Sequence, residues 1–271
     1  MKLSMMSYTL ARQPGFSLKT MLDLTQELGL TGIDFVSLHG ADPRELKTMA
    51  QDIGVAVVCY TFGADVNYAS TQARAAGIDQ IKQGIETAVL LGAPRIMCCA
   101  GGKPEYTCEE SRRHYLDAFA EIMDFARKAG VMFSVENMHG KTSPFVTSAD
   151  MLEAVRAVPG LKITFDNGNC MTGGEEPAAS FTRSADYVIH AHFKDWSLCA
   201  PGEQAGMPGK DGRHYKPALI GEGIVPHRAC LAAMKQAGYK GYINIEYEGN
   251  KYPPDDATRR AAGYLYDLIQ E

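Results

Sequence analysis

The sequence predicts an α/β fold, a single TIM (β/α)8 barrel over residues 1–271. Three observations predict it. Short apolar strands alternate with longer helical patterns through eight units without a break, and open doubly wound sheets rarely sustain that alternation so long. The length of 271 residues suits one barrel, which typically takes about 250 residues. Finally, four segments rich in acids or imidazoles stand at the ends of expected strands: VENMHG with Glu136, TFDNGN with Asp166, HAHFKD with His190 and His192, and INIEYEG with Glu246. From Glu136 to Asp166 to His192 to Glu246 the intervals are 30, 26 and 54 residues. No single turn or helix gathers groups so far apart, whereas a closed parallel barrel brings the C-terminal ends of all its strands to one rim.

The elements follow in order. MKLSMMSYTLARQPG reads as a first strand near 2–6; a secretory signal would carry a longer apolar stretch and a small-residue cleavage pattern. The helix over 17–29 places Met21, Leu24 and Leu28 on one face and stops at Gly29. A strand over 32–36 and a helix over 43–53 come next. VAVVCYTF, 55–62, is nearly all apolar, as a strand buried on both faces must be. A long helix over 71–91 leads to the strand RIMCCA at 95–100. The helix over 108–128 turns Leu116, Phe119, Met123 and Ala126 inward and is closed by Gly130. VMFSVE ends at Glu136, a helix covers 148–158, and KITFD ends at Asp166. A shorter helix over 177–184 precedes DYVIHAHFKD; after the segment 196–225, a helix over 226–237, the strand GYINIEYEG and a last helix over 255–269 complete the pattern.

Strand side chains alternate, so residues two apart share a face. Ser134 and Glu136, Thr164 and Asp166, His190, His192 and Lys194, and Asn244, Glu246 and Glu248 therefore point into the barrel mouth. Ionisable groups there are expensive to bury unless paired or metal-bound. Two Glu, one Asp and one His converging on a rim form a divalent-metal site with its own acid–base groups. Five of the seven histidines, His39, His139, His190, His192 and His214, fall at strand ends or in the loops that follow. The segment 196–225 carries glycines at 202, 206, 209, 212, 221 and 223 and is expected to be a flexible cover over the site. Trp196 either packs against the apolar face of a ligand or anchors that segment. Lys210, Arg213, His214 and Lys216 form a basic cluster that either meets an anionic substituent or is a solvated face.

Composition narrows the function. Apolar residues make up 45% and charged residues 22% of the chain, with a net charge of −5. This is the balance of a globular protein with a large core, and it argues against a nucleic-acid partner, which selects a basic face. No run reaches the roughly 18 apolar residues of a membrane span. Seven cysteines without a C-x-x-C pair suit a reducing, cytoplasmic setting without a disulfide framework, and Cys98 and Cys99 read as buried thiols.

Taken together, VEN at Glu136, FDNGN at Asp166, HAHFKD, GEGIV at 221–225 and IEYEG at 245–249 resemble the xylose isomerase-like barrel superfamily, in particular its sugar phosphate isomerase/epimerase branch. The resemblance is most specific from about residue 131 to 249. It implies one divalent metal ion (Mn, Mg, Co or Zn) held by Glu136, Asp166, His192 and Glu246, and a small-molecule sugar or sugar derivative as substrate. Glu136 and Glu246 are the expected acid–base pair. Expected substrate contacts are His190, Lys194, Trp196, Arg213, His214, Asn169 and His139. Many ketose 3-epimerases of the superfamily carry His where this chain has Asn169 and Arg where it has Leu198, which implies a substrate other than a free ketohexose. The expected activity is metal-dependent isomerisation or epimerisation through an enediolate, with manganese as one candidate ion. The alternative is a metal-dependent lyase acting on a keto-sugar, keto-inositol or dehydroshikimate-like substrate. An AP-endonuclease-like nuclease and a metal-free binding barrel rank below both. Homo-oligomerisation is left open.

Overall fold

Strands form where apolar, β-rich residues run together, and helices start where a side chain can cap them. In the computed structural model, which describes residues 1–200, 203 and 206–271, the strands are β1 (Lys2–Met6), β2 (Gly32–Val36), β3 (Ala56–Gly63), β4 (Arg95–Cys99), β5 (Met132–Glu136), β6 (Lys162–Asp166), β7 (Val188–Phe193), β8 (Asp195–Leu198), β9 (Met207–Pro208), β10 (His214–Ala218) and β11 (Tyr242–Ile245). The helices are α1 (Ser7–Ala11), α2 (Leu18–Glu27), α3 (Pro43–Asp52), α4 (Thr71–Leu91), α5 (Cys108–Ala129), α6 (Ser148–Ala157), α7 (Pro177–Ser184), α8 (His227–Gln236) and α9 (Pro254–Gln270). Ser17, Ser70, Thr107 and Thr147 each accept a backbone N–H at a helix start. Gly92 and Gly130 end α4 and α5 in left-handed conformation.

Eight parallel strands close in the order β1-β11-β7-β6-β5-β4-β3-β2. Closure joins the two ends of the chain, with Lys2 opposite Tyr242 and Ser4 opposite Asn244. Alternate strand residues face out onto the helices: Phe133 meets Phe119 of α5 at 4.9 Å between ring centroids, and Phe165 meets Phe181 of α7 at 5.3 Å. Each such fully buried ring contributes on the order of 1.5–3 kcal/mol by leaving water.

Many inward residues are polar, and they are tolerated because they pair with one another. Ser134 Oγ lies 2.8 Å from Thr164 Oγ1 and donates to the Ile96 carbonyl at 2.8 Å. Ser4 bonds Asn244 Oδ1, and Asn244 Nδ2 donates to Asp34 Oδ2 at 2.7 Å. This hydrogen-bonded floor underlies the C-terminal rim.

Two elements depart from the sequence reading. The five-residue α1 is too short to show a helical period. The segment after β7, expected to be a flexible glycine-rich cover, instead builds a three-stranded antiparallel sheet in the order β8-β10-β9, with a small core of Trp196, Tyr215 and Val225. Gly202 of that segment lies outside the described residues. No disulfide forms among the described residues, and no described helix is long and apolar enough to cross a membrane.

Candidate metal centre

Asp166 ends β6, and the D-N-G-N sequence folds the chain back over it. Its Oδ1 accepts the Gly168 and Asn169 N–H groups at 2.9 and 2.6 Å. Asn137, following β5, donates to the Asp166 carbonyl and accepts its N–H, both at 2.8 Å, so the ends of β5 and β6 are locked together. Gly168 is required there: a Cβ would stand 2.6 Å from Lys194 Cγ and 3.0 Å from Trp196 Nε1. Asp166 thus both caps its turn with one oxygen and frees the other for the site.

On β7, His192 lies directly opposite Asp166 on one side and Asn244 on the other. Its Nδ1 is 2.7 Å from Glu136 Oε1 and 3.8 Å from Glu246 Oε2. Lys194 Nζ donates to Glu246 Oε1 at 2.9 Å and stands 3.6 Å from both Asp166 Oδ2 and Glu248 Oε2. Ligand atoms of Glu136, Asp166, His192 and Glu246 all lie within 4.8 Å of one another, and all four residues are buried. The strand alternation read from the sequence therefore brings these four together.

Electrostatics show what this cluster lacks. Burial and the surrounding carboxylates raise Glu246 to about 8 against the pull of Lys194. Burial, aided by Glu136, raises Asp166 to about 7. Burial also disfavours the charged form of Glu136, yet the charge and hydrogen bond of His192 hold its carboxyl below the usual range. His192 and Lys194 are in turn lifted well above their usual values, because the carboxylates outweigh burial. Asp166 Oδ2 and Glu246 Oε2 are buried without a hydrogen-bond partner. Two orphaned carboxylate oxygens beside one imidazole and a third carboxylate are the donor set a divalent cation takes. The residues therefore fit such an ion.

The other expected contacts divide. Asn169 is fully buried, and both its side-chain amide atoms lack partners. His139 is half-buried, its ring edge-on to Trp196 at 5.6 Å. Trp196 is itself buried and anchors the inserted sheet, one of the two readings its sequence position allowed. His190 is wholly buried in the barrel floor, its Nε2 3.2 Å from Asp34 Oδ2, and burial pushes it down to about 4. The basic cluster is not gathered at the carboxylates. Arg213 bonds Asp211 at 2.6 Å, Lys216 reaches Glu203 at 3.3 Å, Lys210 lies 3.5 Å from Asp150, and His214 lines a surface cavity of about 590 Å³ with Lys141 and Lys210. Leu198 is on β8 and 40% exposed.

Sequence reading missed Asp34, although a lone acid in the apolar strand GIDFV is the signal already used for Asp166. It also missed Asp195 and His227. Asp195 accepts N–H groups from Trp196, Gly221, Gly223 and Val225 at 2.8–3.0 Å, and His227 Nε2 approaches it at 3.2 Å. Asn167 joins His227 Nδ1 at 2.9 Å to the Lys194 N–H at 3.1 Å. This network fixes the backbone that carries Lys194.

The family model described as the xylose isomerase-like TIM barrel matches residues 22–268. The chain belongs to that family. Among similar proteins, inosose dehydratase of Lacticaseibacillus casei is 27% identical over 173 residues, 60% of this chain and 56% of that protein. L-ribulose-5-phosphate 3-epimerase UlaE of Shigella boydii serotype 18 is 25% identical over 175 residues, 64% of this chain and 56% of that protein. The chain thus spans little more than half the length of these curated relatives. The solved structure of the IolI protein with a binding zinc atom shares the fold, with a TM-score of 0.81 at 18% identity, covering 100% of this chain and 98% of that one.

Proposed function

We propose that the protein is a divalent-metal-dependent sugar isomerase or epimerase that moves a proton next to a carbonyl through an enediolate. One observation carries this reading. Glu136 and Glu246, from β5 and the end of β11, flank Asp166 and His192 on the intervening β6 and β7, and all four offer ligand atoms within 4.8 Å of one another. When bound, a divalent ion supplies Lewis-acid polarisation of a carbonyl and its neighbouring hydroxyl. The chain supplies the rest. One glutamate removes the proton next to the carbonyl and the other returns one from the opposite side, to the same carbon for epimerisation or to its neighbour for isomerisation. Lys194, held cationic beside Glu246, faces the developing oxygen charge. The unpartnered amide of Asn169 offers both a donor and an acceptor to a sugar hydroxyl. His139 supplies an aromatic face, held edge-on against the buried Trp196, while His190, Arg213 and His214 act from outside the group of four ligands. Asn169 and Leu198 support a substrate other than a free ketohexose.

The test is a panel of ketoses, keto-inositols and their phosphorylated or carboxylated derivatives in deuterated water, read by NMR. The protein is stripped by chelation and reloaded with Mn, Mg, Co or Zn. Deuterium incorporation next to the carbonyl, present only with the ion, is the expected result; full turnover in excess chelator overturns the reading.

A second reading, a lyase that expels a β-hydroxyl from the same intermediate, is favoured by the relationship to inosose dehydratase and by the ammonium of Lys194, an N–H acid placed to protonate a departing hydroxyl. The growth of an unsaturated-carbonyl absorbance during turnover separates it from the first.

A further inference from the structure

Three carboxylates surround the ammonium of Lys194, and the metal reading uses only two of them. Nζ donates to Glu246 Oε1 at 2.9 Å and stands 3.6 Å from both Asp166 Oδ2 and Glu248 Oε2. Glu246 and Asp166 belong to the group whose ligand atoms converge within 4.8 Å; Glu248 does not. Strand register explains the arrangement. Ile245 lies opposite Phe193, which sets Glu246 level with Lys194, and Glu248 follows one alternation further along the chain. The side chains of Asp166 and Glu246 are 0% and 6% exposed, that of Glu248 20%, so Glu248 is the acid of the three that reaches toward solvent.

A divalent cation and an ammonium repel each other, the more so where water is excluded. A cation on the unpartnered Asp166 Oδ2 and Glu246 Oε2 shares both carboxylates with Lys194. The lysine stem has no room to swing away as a whole, because Cγ packs over Gly168 so closely that a Cβ there would stand at 2.6 Å. The outer bonds of the side chain are left to turn. Charge-assisted N–H···O bonds run at about 2.8 Å, so closing on Glu248 asks Nζ to move by roughly 1 Å.

We propose that Glu248 is the positioning residue of Lys194: when a divalent cation takes Asp166 and Glu246, the ammonium passes to Glu248, so that one ion pair replaces another. The inference rests on the metal reading above. It gives the second acid of I-E-Y-E-G control over metal affinity without contact with the ion. The rivals are Glu248 as a further ligand, and Glu248 as a charge at the mouth that attracts cations directly.

The experiment is a double-mutant cycle on Mn²⁺ affinity. Wild type, Glu248→Gln, Lys194→Met and the double variant are compared by competition with a chromophoric chelator. Co²⁺ visible spectra of the loaded proteins report the ligand set, circular dichroism reports folding, and a crystal structure of Mn²⁺-loaded wild type locates Nζ. Beside Lys194, Glu248→Gln is expected to lower affinity about 10–100-fold. In the Lys194→Met background the same change is expected to cost less than about 5-fold, the scale of a solvent-screened charge. The cobalt bands of Glu248→Gln stay where wild type has them, and Nζ of the loaded protein bonds Glu248. Equal losses in both backgrounds, wild-type affinity in Glu248→Gln, displaced cobalt bands, or Nζ still on Glu246 in the loaded crystal would each overturn this inference and leave the metal reading standing. Should Lys194→Met not fold, the single variant Glu248→Gln and the loaded crystal still decide. Absence of any ion on wild type overturns the metal reading and this inference with it.

Discussion

A buried lysine normally sheds its proton, yet Lys194 is held cationic because Glu246, Glu248, Asp166 and Glu136 surround it. It is the counter-charge that lets the carboxylates exist without a metal ion. Lys194→Met leaves Glu246 buried and unpaired, at a cost of roughly 3–5 kcal/mol to the metal-free protein. Thermal unfolding with and without Mn²⁺ checks this: the variant's melting temperature is expected to fall sharply when stripped and to recover in part when loaded. Under the proposed mechanism Glu136→Gln and Glu246→Gln preserve shape but remove the proton carrier, so each is expected to lower kcat by about 10²–10⁴-fold, well beyond its effect on Mn²⁺ affinity. If Glu248→Gln were inactive and Glu246→Gln active, the roles of the two would be exchanged. Asp166, His192 and Glu246 were legible because a strand's period of two carries a known residue onto a known face. Asp34 was not recognised, because nothing near it in sequence names its partners: His190, Thr61 and Asn244 come from three other strands. The cluster of Lys210, Arg213, His214 and Lys216, for which the sequence left two readings open, is the opposite case. Neighbours in sequence, three of these four side chains turn to separate acids, Asp150, Asp211 and Glu203.

Among the elements, the inserted sheet depends on one side chain. Asp195 gathers the N–H groups at both ends of the segment, at Trp196 and at 221–225, into a single carboxylate. Asp195→Ala orphans several buried donors at about 1–3 kcal/mol each. The expected outcome is rapid proteolysis between residues 198 and 214 with the barrel's circular dichroism retained, and a loss of turnover because Lys194 adjoins the released backbone. Unchanged cleavage would show that Trp196, Tyr215 and Val225 hold the sheet unaided. The eight barrel strands and their long helices were readable because each repeats a period several times. The inserted strands were not: β9 has two residues, β10 pairs with β8 across a glycine-rich stretch, and no period survives so few positions.

For the molecule as a whole, the site sets an unusual pH dependence. Asp166 and Glu246 titrate near 3.8 and 4.5 when unfolded but at about 7 and about 8 in the folded chain. The folded state thus binds more protons than the unfolded one across this window, and stability is lost as pH rises through it. His192, also raised, acts in the same direction above its ordinary value of 6.5, whereas the raised Lys194 changes charge only above 10.5, outside this window. Glu136, lowered, acts oppositely, its contribution being lost as pH falls below the ordinary carboxylate range. Metal-free protein is therefore expected to melt at progressively lower temperature from about pH 5 to 8. Because protons compete with the ion for the same oxygens, stabilisation by Mn²⁺ is expected to grow over that interval. Calorimetry at several pH values checks both; a metal-free melting temperature that climbs toward pH 8 would contradict them. Barrel closure adds a consequence in time. Glu246 follows β11, the strand that pairs with β1 and seals the ring. A nascent chain has emitted Glu136, Asp166 and His192 long before the fourth ligand leaves the ribosome, so the complete set exists only once the two ends have met. An ion that recognises all four is a lock on the finished ring and no template for it. In stopped-flow experiments Mn²⁺ is expected to slow unfolding while leaving the main refolding rate unchanged, so that loading the ion lengthens the life of the folded barrel without hastening its birth.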